Sequence, residues 1–179
     1  MKIDTRNNSG LTLIEALIWF AIFAAVVAGV FALYSNSRDS NNASTVNKEL
    51  STIFSQTEQL FATEDTKDLD NTVGLQLGVF PNSVKVKGAV INNVFGGTIT
   101  VKGDTPSGFN VEYTNVPTGD VCSNIVRAQK AVGWDTATVA AKAPVKYNSG
   151  YAIKDVATAC GNAGSASVKI TFARLNVNT

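Results

Sequence analysis

GLTLIEALIWFAIFAAVVAGVFALY, residues 10–34, contains a single charged residue, Glu15, in an otherwise apolar run. From residue 16 to residue 34 there are nineteen positions without a charge. At about 1.5 Å per residue, a helix of this length crosses a hydrocarbon core of roughly 30 Å. The short polar flank before it carries Lys2 and Arg6, and basic residues favour the cytoplasmic side. The stretch therefore predicts a membrane span with a carboxylate near its start.

The position of Gly10 before the apolar run bears on whether the chain is cleaved and what a cut would leave. A secretory signal is cut after its apolar core, whereas here the candidate site, Gly10, precedes the core. Cutting at Gly10 would leave the apolar helix on the mature protein as an anchor. An uncleaved anchor, in which Gly10 has no role, explains the order equally well, so both readings stay open.

The helix is predicted to continue beyond the membrane, because neither proline nor glycine occurs between Val30 and Lys67. Mostly apolar positions recur there at steps of three and four, and two phenylalanines widen the stripe. They are Ala43, Val46, Leu50, Ile53, Thr57 and Leu60, with Phe54 and Phe61. One helix over about residues 12–62 would be roughly 75 Å long, and its amphipathic second half needs a surface to cover it.

The remaining chain, residues 63–179, is predicted to form a head. A connecting segment with a short helix near Val73–Leu77 leads to two strands, residues 89–104 and 108–117, which pair antiparallel across the turn-rich 103–108. A helix over 118–132, capped by Thr118 or Asp120, and a final strand over 168–175 follow. The predicted fold is α+β, a long N-terminal helix packed against an antiparallel β-sheet head.

Composition excludes several function classes. The net charge is +1 and no histidine is present, which disfavours nucleic-acid partners, His-based triads and His-ligated metal sites. No cofactor and no metal are predicted, and the acidic residues Glu64, Asp65, Asp68 and Asp70 are interpreted as a solvated loop because calcium-loop spacing is absent. An even cysteine count indicates one disulfide in an exported chain and free thiols in a cytosolic one.

The segment GLTLIE followed by an apolar helix resembles the processing site of type IV prepilins. The resemblance implies cleavage by a prepilin peptidase between Gly10 and Leu11, with N-methylation of Leu11. Glu15 then corresponds to the family's assembly glutamate. The implied organisation is a leader over 1–10, a long helix over 11–62 with its transmembrane half at 11–36, and a head over 63–179.

The head resembles class b pilins, including bundle-forming and conjugative thin-pilus subunits, through VFGGTITV, CSNIV, DVATAC and VKITF. By this resemblance Cys122 and Cys160 form a disulfide that closes a surface region, 122–160, used in subunit contacts. Two positions depart from the pattern, because Ala32 replaces a proline and Ala24 a glycine that many members carry.

Glu15 also has a physical rationale. Placing a carboxylate near the bilayer centre costs roughly 2.5–3.5 kcal/mol of insertion free energy. The interaction with a helix N-terminus offsets only about 0.3–1 kcal/mol of this cost. Cleavage after Gly10 would create an α-amine on Leu11 at the same depth. An incoming subunit's Glu15 can pair with the amine of an assembled subunit, which would set axial register. An interfacial glutamate reaching towards lipid headgroups is the alternative for an arbitrary anchor.

The predicted function is therefore structural and non-enzymatic. The subunit forms a homo-oligomeric helical filament, and its partners are the prepilin peptidase, the inner-membrane pilus assembly machinery and the membrane before assembly. It moves from the bacterial inner membrane to an extracellular pilus that serves adhesion, aggregation or mating contact. The alternatives are a minor pilin, a type II secretion pseudopilin, and a single-span periplasmic binding module.

Overall fold

Helix α1 extends over Leu13–Leu60 in a computed structural model that describes residues 12–105, 107–162, 164 and 166–175. Its ends lie within two residues of the predicted 12–62, because neither proline nor glycine occurs between Val30 and Lys67 to end the helix before its amphipathic pattern does. The chain divides into two compact units, Met1–Arg38 and Asp39–Thr179.

The first unit contains the apolar part of α1. Leu13–Phe31 has a mean hydropathy of 2.4, is nineteen residues long, and has none of its apolar window buried. By length and composition this segment is able to cross a membrane. The predicted transmembrane half, 11–36, begins at Leu11, which lies outside the described residues together with Gly10.

The second unit is built on a seven-stranded sheet whose neighbouring strands are antiparallel. Its spatial order is β1-β2-β3-β4-β7-β5-β6. The strands are β1 (Lys85–Lys87), β2 (Val90–Asn92), β3 (Thr98–Thr105), β4 (Gly108–Pro117), β5 (Thr136–Val139), β6 (Val145–Lys146) and β7 (Ser167–Arg174). The predicted antiparallel pairing with 108–117 is confirmed for β3, where Val101 lies opposite Val111 of β4. The predicted strand 89–104 is divided, because residues 90–92 form the separate strand β2, which pairs with β3.

The amphipathic half of α1 supplies one side of the core. Val46, Leu50 and Ile53 are fully buried, as the stripe predicted. The sheet supplies the other side through residues that alternate along β4 and β7, namely Phe109, Val111, Tyr113, Ile170 and Phe172. Leu60 departs from the prediction and is 36% exposed, because the helix ends there and Phe61, in the following bend, enters the core in its place.

Three short α-helices, α2 (Asn71–Gln76), α3 (Asp120–Ala128) and α4 (Ile153–Cys160), and a 3-10 helix over Gln129–Ala131 that follows α3 lie in the described part of the head. The helix expected near Val73–Leu77 corresponds to α2, and the Asp70 carboxylate caps it by accepting from the Val73 N–H at 2.8 Å. The expected side-chain cap of α3 is wrong. Gly119 occupies the N-cap at φ 74°, a conformation that glycine tolerates, while the Thr118 hydroxyl donates to the Ala166 carbonyl.

Strands β1, β5 and β6 and helix α4 were not among the predicted elements. β1 and β6 are only three and two residues long, so neither carries enough alternation to be read locally. β5 is placed by a distant partner, because Ala137 lies opposite Phe172 in β7. Of these elements, β5 is the one whose position depends on pairing with a segment far along the chain.

Candidate functional site

The start of α1 holds Glu15 in a reciprocal hydrogen-bonded arrangement with Thr12. The Thr12 N–H and hydroxyl donate to Glu15 Oε2, each at 3.3 Å, and the Glu15 N–H donates to Thr12 Oγ1 at 3.3 Å. This is a capping box, in which the side chain of each residue accepts from the otherwise unpaired backbone N–H of the other. The T-x-x-E spacing in TLIE is the sequence signal for it.

The surface of α1 around and after Glu15 is apolar and uncovered within the described chain. Leu13, Phe20 and Phe31 are 81%, 74% and 69% exposed. Val26, Val30 and Tyr34, together with Phe31, line a shallow apolar depression of about 390 Å³. A water-exposed surface of this kind requires lipid or other protein surface to cover it.

The cysteines lie on two helices of the head. Cys122 in α3 and Cys160 in α4 are joined by a disulfide, and both are buried. The Gly119 N–H donates to the Cys160 carbonyl at 3.2 Å, which adds a backbone contact beside the cross-link. The structure thus closes residues 122–160 into one loop that contains β5, β6 and part of each helix.

A carboxylate lies buried between α1 and the sheet. Glu49 is 2% exposed, and it accepts from the Tyr113 hydroxyl at 3.3 Å and the Ser83 hydroxyl at 3.4 Å. Burial raises the pKa of Glu49, and the two hydroxyl hydrogen bonds offset part of that rise. Burial, and then the neighbouring carboxylate, hold the pKa of Tyr113 well above its usual value.

A second buried polar group anchors the aromatic core. Gln129 donates to Asn47 Oδ1 at 3.2 Å and accepts from Trp134 Nε1 at 3.0 Å, so it connects α1 to the segment after α3. Trp134 is fully buried, with its ring 4.7 Å from the ring of Phe54. Gly133 permits this approach, because a Cβ there would lie 2.7 Å from the Phe54 ring.

An ion-pair network holds the end of the last strand. Arg174 Nε lies 2.9 Å from Glu58 Oε1 on α1, and Arg174 Nη1 lies 3.3 Å from Asp135 Oδ2. Asp135 also accepts from the Leu175 N–H at 2.7 Å and from the Asn148 side chain. This network fastens β7 to both the helix and the start of β5.

The acidic loop after α1 has local structural roles. Asp70 caps α2, and Asp65 accepts from the Lys67 N–H at 2.7 Å. Over the residues that the structure describes, no group of three or more Asp, Glu or Cys side chains is arranged to hold a metal ion.

The predicted site residues thus fall into three groups. Cys122 and Cys160 are brought together. Glu15 lies at the start of α1 with its Thr12 partner, and Gly10 and Leu11 lie outside the described residues. Thr12 could be found from its T-x-x-E spacing with Glu15. Glu49 and Gln129 have no such signal, since the role of a buried polar residue is apparent only once its partners are placed.

A family model described as PilS N terminal matches residues 40–173. The major structural subunits of bundle-forming pilus from Escherichia coli O127:H6 (strain E2348/69 / EPEC) and from Escherichia coli O111:H- are each 30% identical over 101 residues. That match covers 55% of this chain and 52% of each relative, so the chain spans about half the length of these relatives.

Among solved structures, the crystal structure of type IV b pilin from Salmonella typhi superposes with a TM-score of 0.57 at 15% identity. The superposition covers 72% of this chain and 97% of that one. At this identity the similarity establishes the shared fold: a long helix against an antiparallel sheet.

Proposed function

Because the chain belongs to the PilS N terminal family and is a type IVb pilin homologue, we propose that it is the repeating structural subunit of an extracellular type IVb pilus. The subunit is non-enzymatic and polymerises with copies of itself into a helical filament. The observation that carries the proposal is the joining of a pilin head to a wholly exposed apolar helix, Leu13–Phe31, in one chain. Lipid covers this helix before assembly, and neighbouring helices cover it in the filament.

Processing at Gly10 is part of the proposal. A prepilin peptidase cuts before Leu11 and the new amino terminus is methylated, which leaves the apolar helix on the mature subunit. The inner-membrane pilus assembly machinery then moves the subunit from the membrane into the growing pilus. The resulting filament serves adhesion, aggregation or mating contact.

The capping box refines the role proposed for Glu15. Its carboxylate has a local partner in Thr12 at 3.3 Å, which reduces the cost of holding it near the membrane. The contacts are long and involve one oxygen, Oε2, so the carboxylate retains accepting capacity for a neighbour's Leu11 amine. An ammonium–carboxylate contact is stronger than a neutral one, and we infer that it sets axial register between subunits.

The N-terminus of the protein isolated from pili tests the processing step. Mass spectrometry is expected to find a chain that begins at Leu11 and carries one methyl group on its amine. An intact Met1, or a start beyond Tyr34, would overturn this part of the proposal.

Three substitutions separate charge pairing from helix capping. Glu15→Ala is expected to be cleaved normally yet to abolish or strongly reduce filaments seen by electron microscopy. Glu15→Gln keeps a capping residue but removes the charge, so it is expected to fail as Glu15→Ala does. Thr12→Ala removes the cap and keeps the charge, and it is expected to assemble. Normal filaments from Glu15→Gln would refute the register argument.

A further inference from the structure

A basic groove lies on the surface of the disulfide-closed region. Its volume is about 600 Å³, and its lining residues are Asn124, Arg127, Ala128, Lys130, Tyr151 and Ile153. The three α3 residues recur at steps of three and four, so they share the face opposite the buried Val121 and Ile125. None of the described residues that line the groove is acidic.

One cation in this groove is held in place. Lys130 Nζ lies 4.4 Å from the centroid of the Tyr151 ring, within the range of a cation–π contact. Tyr151 in turn stacks on Tyr147 with centroids 6.1 Å apart, and the buried Tyr147 hydroxyl donates to the Val126 carbonyl at 2.7 Å. The ammonium is therefore pre-positioned by a chain of contacts that ends in the core.

Both cations are available to an external anion. Arg127 and Lys130 are exposed, and neither forms an ion pair with another residue of the described chain. They lie near the carboxyl end of α3, whose dipole is equivalent to only about half a negative charge. Two full positive charges exceed that value, so the groove is positive although the whole chain is nearly neutral.

The remaining lining defines the chemistry of a ligand. Ile153 is 55% exposed and lies beside the half-buried Tyr151, so the groove offers an apolar surface next to its charges. Asn124 adds an amide able to donate and accept. A sulfated or uronic-acid sugar matches this set, with an anionic group for the cations, hydroxyls for the amide and C–H faces for the apolar side chains.

We propose that this groove binds an acidic polysaccharide through its sulfate or carboxylate groups. An acidic peptide fits less well, because extended peptides are commonly held by a strand edge, and the backbone of α3 is engaged in its own helix. The site belongs to the individual head and does not require assembly.

Binding is measured on the full chain in detergent micelles, with a heparin-derived oligosaccharide as the probe and neutral dextran of the same length beside it. We expect saturable binding to the heparin fragment, weakened by added salt, and none to dextran. Arg127→Gln combined with Lys130→Gln is expected to weaken the affinity about tenfold or more.

Matched variants distinguish a specific binding site from nonspecific electrostatic attraction of the anionic probe. Lys85→Gln with Lys87→Gln removes the same charge from the exposed strand β1 and is expected to change the affinity less than about twofold. Tyr151→Phe keeps the ring beneath Lys130 and is expected to bind normally, whereas Tyr151→Ala is expected to weaken binding.

Three results would overturn the proposal. They are equal losses in the two double variants, absence of heparin binding by the wild-type chain, and polyglutamate binding as tight as heparin binding. Because the assay uses unassembled subunits, its failure would leave the proposed filament function untouched, and a failure to form filaments would leave this assay valid.

Discussion

Glu49 sits on the core-facing side of α1, and among the described residues it is the one charged side chain that is buried. Its neighbours there are hydroxyl groups, Tyr113 and Ser83. No lysine or arginine in the described chain forms an ion pair with it. A buried carboxylate without a cation is more costly when ionised than when neutral.

The stability of the head is therefore expected to depend on pH through this residue. Because burial raises the pKa of folded Glu49 above its ordinary value of 4.5, the stabilisation linked to its proton is complete below pH 4.5 and is lost as pH rises through the folded pKa. Relative to Glu49→Gln, the wild-type free energy of unfolding should fall over that interval. Urea unfolding at a series of pH values measures this difference.

Glu64→Gln is the matched control for this experiment, since it makes the same change in an exposed loop. The difference in the free energy of unfolding between Glu64→Gln and the wild type should vary less with pH over the same interval. A Glu49→Gln curve parallel to the wild-type curve would contradict the linkage.

Ala140 follows β5 with φ 51°, a left-handed conformation that is unfavourable for residues with a Cβ. Its N–H donates to the Lys169 carbonyl at 2.7 Å, which holds the residue in place beside the sheet. Ala140→Gly should raise the free energy of unfolding by about 0.5–1 kcal/mol. The strain that it relieves in the folded state exceeds the destabilisation caused by the greater entropy of the unfolded chain. Thermal or urea denaturation provides the measurement.

The neighbouring Ala141 provides the control, because its φ is not in the left-handed region. Ala141→Gly gains only chain entropy in the unfolded state and should destabilise the head by about 0.5 kcal/mol. If both glycine variants shifted stability in the same direction, conformational strain at Ala140 would not be the cause.

At the scale of elements, α1 serves two environments with one uninterrupted helix. Its first part, Leu13–Phe31, is apolar on all sides except for Glu15 in the first turn, and its later part has one apolar face. Local sequence predicted both, since composition and the 3.6-residue period are properties of the helix itself. Within the predicted stripe, Leu60 departs from the pattern and is 36% exposed where the helix ends, whereas Phe61 is buried as predicted.

The packing of α1 on the sheet is expected to dominate the stability of the head. Ile53 is fully buried in this interface, so Ile53→Ala should lower the free energy of unfolding by about 2–5 kcal/mol. Gln59→Ala, on the exposed side of the same helix, should change it by less than about 0.5 kcal/mol. Similar effects of the two substitutions on urea unfolding would refute this packing role.

At the scale of the whole molecule, the disulfide joins segments separated by 38 positions. The region that it closes includes Trp134, whose indole packs on Phe54 of α1 and Phe172 of β7. The cross-link therefore restrains a region that also contributes to the common core.

Removing the disulfide is expected to destabilise the head. Cys122→Ala with Cys160→Ala should lower the free energy of unfolding by about 2–5 kcal/mol, because the unfolded chain regains the freedom of a long loop. Reduced wild-type protein should unfold near the denaturant midpoint of the double variant, and reductant should leave that variant unchanged. Equal midpoints for oxidised and reduced wild-type protein would contradict the prediction.

The sequence by itself determined the elements whose signals are local. The membrane-length helix, its amphipathic continuation, the β3–β4 pair and the α+β class all follow from hydropathy, period and turn residues. GLTLIE and the head motifs were enough to indicate the pilin family, which the match over residues 40–173 establishes.

Only the tertiary structure decided which distant segments meet. Four features join residues that are far apart in the chain or that no local pattern identifies. They are the placement of β5 beside β7, the burial of Glu49 against Tyr113, the Gln129–Trp134 contact, and the basic groove between α3 and Tyr151. The physical reason is that a short strand or a single polar side chain has no preference strong enough to fix its own position. The position that such a strand or side chain takes is determined by the surface that the rest of the fold presents to it.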